Sequence, residues 1–164
     1  MLCAGGRVYA DDFNEKAGDV LLALIPSTVI AATYYIDDTQ GRAQFYKSLL
    51  ASAAAAGGLK YTINRTRPDG GSRSFPSGHS TISFQGAAFV HKRYGFQRAL
   101  PAYLGAAFVG YSRVQSDRHY LEDVLAGAAL GIASSYFFTA AYENSAVTVA
   151  YNEGMPSFVF WKEW

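Results

Sequence analysis

The succession of apolar and polar positions divides this chain into helices. Residues 16–36 are almost uniformly apolar, interrupted by Pro26, and predict a first helix. The polar run Asp37-Asp38-Thr39-Gln40-Gly41 predicts a turn. Residues 42–66 predict a second helix running through an alanine-rich stretch at 51–56, since Ala is the best helix former. Gly57-Gly58 weakens that helix locally and predicts a close helix contact. Pro68 is expected to end it, because the residue before a proline is driven out of the α region. Residues 69–76 read as a polar, glycine-rich loop. Ser77 then has the chemistry of an N-cap for a helix reaching about Tyr94. That helix closes on His91-Lys92-Arg93 and Gly95, so His91 reads as a helix-capping cation rather than a catalytic group. Residues 98–115 and 120–142 predict two more helices. In the tail, β-branched and aromatic runs at 147–151 and 157–161 flank a turn-rich segment, which predicts a hairpin. A hairpin alone is marginal in water, so it is expected to pack on the helices or on a partner. The fold class expected is therefore mainly α: a compact bundle of about five to six helices with a short C-terminal β-hairpin.

Composition narrows the setting. At 164 residues with 16% charged, the chain is long enough for one domain and too apolar for disorder. We read residues 1–15 as an N-terminal segment and 16–164 as a single helical domain. Val8-Tyr9-Ala10 ahead of Asp11-Asp12 fits a signal-peptidase site, which predicts an exported protein working in the periplasm or at the outer face of a membrane. The net charge of +1, without a basic block, argues against a nucleic-acid partner. A single cysteine, Cys3, excludes an internal disulfide and a cysteine-based metal site. Two uncharged runs, 20–36 and 124–142, reach the lower edge of a membrane-spanning length. One is broken by Pro26 and the other is rich in small residues, so both read as buried core helices.

Three stretches carry the candidate chemistry. In Lys60-Tyr-Thr-Ile-Asn-Arg-Thr-Arg67-Pro68, the two cations lie seven apart, which on a helix places them on one face with Asn64 between them. In Pro76-Ser77-Gly78-His79, Gly78 lets the backbone approach a ligand, and unpaired N–H groups at the helix start favour an anion beside His79. In Ser112-Arg113-Val-Gln-Ser-Asp-Arg-His119-Tyr-Leu-Glu-Asp123, a carboxylate follows a histidine by four residues. Such a carboxylate fixes the tautomer of the ring and leaves the other nitrogen free to attack. Glu122 reads as solvated, and Asp117 with Arg118 as a local ion pair. Together the stretches supply cations, backbone donors and two histidines, a set able to move a phosphoryl group without a metal or other cofactor.

These three stretches, in this order and spacing, resemble the signature of the type 2 phosphatidic acid phosphatase superfamily, which includes bacterial non-specific acid phosphatases and vanadium haloperoxidases. The match is Lys-x6-Arg-Pro, Pro-Ser-Gly-His and Ser-Arg-x5-His-x3-Asp with the continuation Val-Leu-Ala-Gly127, spanning 60–127. The resemblance implies that His119 is a nucleophile forming a phosphohistidine, Asp123 its orienting acid and His79 the general acid. It implies that Lys60, Arg67, Arg113, Ser77 and Gly78 bind phosphate. The implied activity is hydrolysis of phosphate monoesters, with lipid or polyprenyl phosphates as substrates and contact with a membrane surface. A vanadate-holding haloperoxidase and a non-catalytic phosphate- or phospholipid-binding protein are the alternatives.

Overall fold

A computed structural model describes the backbone of residues 4–142, 145–152 and 155–162, and side chains over 13–142. Five helices follow in order: α1 Ala4–Tyr35, α2 Thr39–Ile63, α3 Gly78–Tyr94, α4 Phe96–Gln115 and α5 Leu121–Phe138. Two strands, β1 Ser145–Asn152 and β2 Met155–Lys162, pair antiparallel with Ser145 opposite Lys162 and Asn152 opposite Met155. Among the described elements, no helix packs on this pair.

Local chemistry sets most of the boundaries. Asp38 caps α2, its Oδ1 accepting the Gly41 N–H at 2.8 Å, so the helix starts at Thr39 inside the expected turn. It ends at Ile63, earlier than expected. Asn64 adopts the left-handed conformation (φ 42°, ψ 42°) and stops the helix before Pro68 can. Ser77 caps α3 through the Ser80 N–H, and Gly95 closes it with φ 96° and an N–H bonded to the His91 carbonyl. α1 continues through Pro26 and begins at Ala4, well ahead of residue 16.

The core is layered around α3, which touches all four other helices. Ile25, Ala87 and Ala106 form one buried cluster, and Val29, Phe45 and Phe89 a second. Phe45 and Phe89 meet edge-on at 5.1 Å. The α3–α5 interface is built differently, from small residues. A Cβ on Gly127 would collide with the Ser77 carbonyl oxygen, and one on Gly131 with that of Thr81. Gly131→Ala should therefore force the helices apart, costing about 1–3 kcal/mol. A thermal melt checks this; an unchanged midpoint would show the interface to be looser than described. Gly57 and Gly58 have no such neighbours, so the close packing expected there lies instead at 127 and 131.

Two further expectations are corrected. The apolar windows within 13–35 and 121–138 are only 22% and 33% buried, so α1 and α5 are not enclosed core helices. Leu24, Leu121, Leu125 and Phe137 are exposed. His91 does not cap carbonyls. Its Nδ1 meets the hydroxyls of Tyr136 (3.1 Å) and Tyr103 (3.3 Å) among aromatic rings.

The end of the bundle away from the three motifs is held by a buried ion pair. Arg93 Nη2 and Nε donate to the two oxygens of Asp38 at 2.6 and 2.8 Å, and Tyr94 Oη donates to Oδ2 at 2.7 Å. Arg93 also holds the segment that follows α5 through the carbonyls of Ala140 and Ala141.

Candidate phosphate-binding site

The three motif stretches converge at the opposite end around a cavity of about 350 Å³. Lys60 projects from the last turn of α2, and Gly78 and His79 open α3. Arg113 ends α4, and His119 sits in the turn before α5; all four elements turn these residues into the cavity. Arg67 lines it too, but not as a helical neighbour of Lys60. Because α2 stops at Ile63, Arg67 belongs to a loop that folds on itself, its N–H on the Gly71 carbonyl (2.7 Å) and its Nε on that of Ser72 (3.1 Å). Lys60 Nζ ties to this loop through the Arg73 carbonyl at 3.0 Å. Asn64 is the exposed C-cap of α2.

Ser77 and Asp123 stand behind the cavity wall rather than on it. Both are fully buried. Ser77 Oγ accepts from the N–H and hydroxyl of Ser80, and its own N–H donates to the Asp123 carbonyl at 2.9 Å. This bond joins the start of α3 to the start of α5. Asp123 does not reach His119 directly, since Oδ2 lies 3.8 Å from Nδ1. Ser74 Oγ sits between them, 2.5 Å from Oδ2 and 3.3 Å from Nδ1. Arg65 Nη1 holds the other oxygen of Asp123 at 2.9 Å, and its Nη2 pairs with the largely solvated Glu122.

α1 contributes two carboxylates. Asp19 Oδ1 lies 3.0 Å from Arg113 Nη1 and 3.2 Å from His79 Nε2. Glu15 pairs with Arg118 at 2.9 Å, and its carbonyl accepts from Arg113 Nη2 at 2.7 Å. Arg118 is thus a cavity residue bridging Glu15 and Asp69, not the local partner of Asp117. Gly18 makes this contact feasible, because a Cβ there would strike Ser112 Oγ. Motif reading missed Arg65, Ser74, Glu15, Asp19 and Arg118. Arg65 lay inside the spaced motif, and only its position beside Arg67 hinted at it.

The electrostatics favour a neutral His119 ring beside a cation-rich wall. Burial, then the Lys60 and Arg67 charges, push the His119 ring down to about 4, against the smaller upward pull of Asp123. Burial and Arg113 lower His79, partly offset by Asp19. Burial also lowers Lys60, and Arg67 adds to this. Among the described residues, no cluster of three or more His, Cys, Asp or Glu could hold a metal ion.

The family model of the PAP2 superfamily matches residues 43–146, which hold every motif residue above. The chain belongs to the PAP2 superfamily. Lipid A 1-phosphatase of Porphyromonas gingivalis is 38% identical over 105 residues, covering 57% of this chain and 24% of that protein. The chain thus spans about a quarter of this relative. Lipid A 4'-phosphatase of Helicobacter pylori is 29% identical over 141 residues, covering 79% of this chain and 71% of that one. The PAP2 fold is also that of Aquifex aeolicus LpxE (TM-score 0.69, 19% identity, 79% of this chain and 84% of that one). A transmembrane PAP2-type phosphatidylglycerolphosphate phosphatase of Bacillus subtilis aligns with a TM-score of 0.66 at 23% identity, covering 79% and 75%. The matched PAP2 segment begins after α1, so Glu15 and Asp19 lie outside it.

Proposed function

We propose that this chain is a metal-independent phosphatase that hydrolyses lipid-linked phosphate monoesters through a phosphohistidine. The observation that carries this reading is the placement of His119, a buried and neutral imidazole facing a cavity walled by Lys60, Arg67 and Arg113. Its Nδ1 is turned toward Ser74 and Asp123, which leaves Nε2 for the cavity side. In the first step Nε2 attacks phosphorus, the bond to the ester oxygen breaks, and His79 gives its proton to the leaving alcohol. The three cations and the N–H groups at Gly78 stabilise the equatorial oxygens as charge spreads over them. A water then attacks phosphorus, with His79 taking its proton, and phosphate leaves His119.

The names of the relatives support a lipid substrate. Two are lipid A phosphatases and one is a phosphatidylglycerolphosphate phosphatase. The exposed leucines of α1 and α5, in helices long and apolar enough to cross a membrane, support membrane association.

The test is phosphate release in EDTA from p-nitrophenyl phosphate, a short-chain phosphatidic acid, phosphatidylglycerol phosphate, lipid A and a polyprenyl diphosphate. Wild type is run beside His119→Ala. Release that favours a lipid and vanishes in the variant supports the proposal. Equal rates on all substrates would replace the lipid reading with a non-specific phosphatase. No release from any would overturn it in favour of a binding protein or a haloperoxidase.

Two outcomes follow from the charges. Protonated His119 cannot attack, so the nucleophile's acid limb in kcat/KM should fall near pH 4 rather than 6.5. A pH–rate profile with that limb centred on 6.5 would contradict the buried, cation-flanked ring. Asp19 occupies the donors of Arg113 and His79 that an oxyanion needs. Asp19→Asn should therefore tighten orthovanadate inhibition about five-fold, the scale of ~1 kcal/mol for a partly exposed ion pair. An unchanged inhibition constant would mean that Asp19 does not compete for the site.

A further inference from the structure

We propose that Ser74 is a positioning residue that links His119 to Asp123, so that the two act as a three-member relay rather than as a direct pair. This rests on the proposed role of His119 as nucleophile. The geometry excludes a direct hydrogen bond, because Nδ1 and Oδ2 are 3.8 Å apart. The Ser74 hydroxyl fills that gap, and Ser74, His119 and Asp123 are all buried (0%, 3% and 0% exposed).

The direction of the relay follows from proton counting. A carboxylate only accepts, and a hydroxyl has one proton. Asp123 is held by Arg65 on Oδ1 and by the Tyr120 N–H on Oδ2 (3.1 Å), both of them donors to an anion. The Ser74 proton therefore goes to Oδ2, at the shortest contact in the cluster. Its oxygen is left to accept, and among the described residues the donor that faces it is His119 Nδ1, so that nitrogen carries the ring proton, with the Ser74 backbone adding a further hydrogen bond to the ring. The Nε2 lone pair is bare and faces the cavity. No bond is made or broken in this arrangement. Its effect is to select one tautomer and one ring orientation, and to share the positive charge that grows when Nε2 bonds to phosphorus. Arg65 has a supporting part, since it fixes the carboxylate that fixes the serine.

The experiment uses the full-length protein with 15N-labelled histidine. The His119 ring is assigned by the loss of its signals in His119→Ala. In wild type above pH 6, the ring nitrogens should show the Nδ1–H tautomer, with a proton shifted downfield. In Ser74→Ala this signature should give way to a mixture of tautomers. The same variant should lose about 10- to 100-fold in kcat on p-nitrophenyl phosphate with KM within about twofold, because phosphate is held by other groups. A wild-type ring in the Nε2–H tautomer would overturn the relay, and that measurement needs no variant to fold. An alanine variant with wild-type ring signals and wild-type kcat would overturn it as well. Failure of the nucleophile reading has a different signature: the ring shows the Nδ1–H tautomer, but His119→Ala retains turnover.

Discussion

Replacing His119 by alanine should lower kcat by about four orders of magnitude or more while leaving the melting curve within a few degrees of wild type. The scale is that of removing a nucleophile from a preorganised site. The ring has no compensating neighbour in the cavity, since His79 is engaged with Asp19 on another wall. Its loss leaves Lys60, Arg67 and Arg113 in place, so orthovanadate should still bind, though without the bond from nitrogen. Stopped turnover with retained anion binding separates loss of the nucleophile from collapse of the pocket. Turnover within tenfold of wild type would remove the phosphohistidine from the mechanism.

The largest expected effect on stability lies at the other end of the bundle. Arg93→Met should destabilise the protein by about 3–5 kcal/mol, because it strands a buried carboxylate whose charge Arg93 balances. Asp38 and Arg93 are each 4% exposed, so water cannot take over the role. The variant also releases the carbonyls of Ala140 and Ala141. A fall of roughly 10 °C in melting temperature is the expected readout. Adding Asp38→Asn to Arg93→Met should recover part of the loss, since the orphaned charge goes while an acceptor for the Gly41 N–H or the Tyr94 hydroxyl remains. If the single variant melted with wild type, the pair would be a surface-like contact and its burial irrelevant.

The helical architecture was legible because its signals are local. Ser77, Gly95 and the alanine run at 51–56 each act on their own turn of backbone, and the observed helices follow them. The end of α2 was misplaced because Pro68 is a strong signal and Asn64 a weak one, yet Asn64 comes first. That error removed the helical argument for pairing Lys60 with Arg67, although both still reach the cavity. His79, Arg113 and His119 were recognisable from spacing because each sits at the end of an element, where spacing and geometry coincide. The supporting groups were not. Arg65 meets Asp123 across 58 positions and Arg118 meets Glu15 across 103, and nothing local marks either partner. The exposure of α1 and α5 was missed for a similar reason. Hydropathy measures what a side chain prefers, whereas burial depends on whether another helix arrives to cover it.

The interior that α3 shares with its neighbours has an uncommon polarity. Ser48, Ser52, Ser80, Thr81, Ser83, Gln85, Ser134 and Ser135 point inward, with Ser134 and Ser135 bonded to carbonyls of α2 and α3. Leu100, Leu104, Leu121, Leu125 and Phe137 point outward. Between α3 and α5, expulsion of water from oily side chains contributes little, in contrast to the Phe45–Phe89 and Ile25–Ala106 clusters on the other sides of α3. Close backbone approach at Gly127 and Gly131 and hydrogen bonds across helices do more, and neither is weakened when hydrocarbon replaces water outside. At this interface the packing is inverted relative to a droplet of oil in water, and its cohesion is of a kind that a lipid solvent leaves intact.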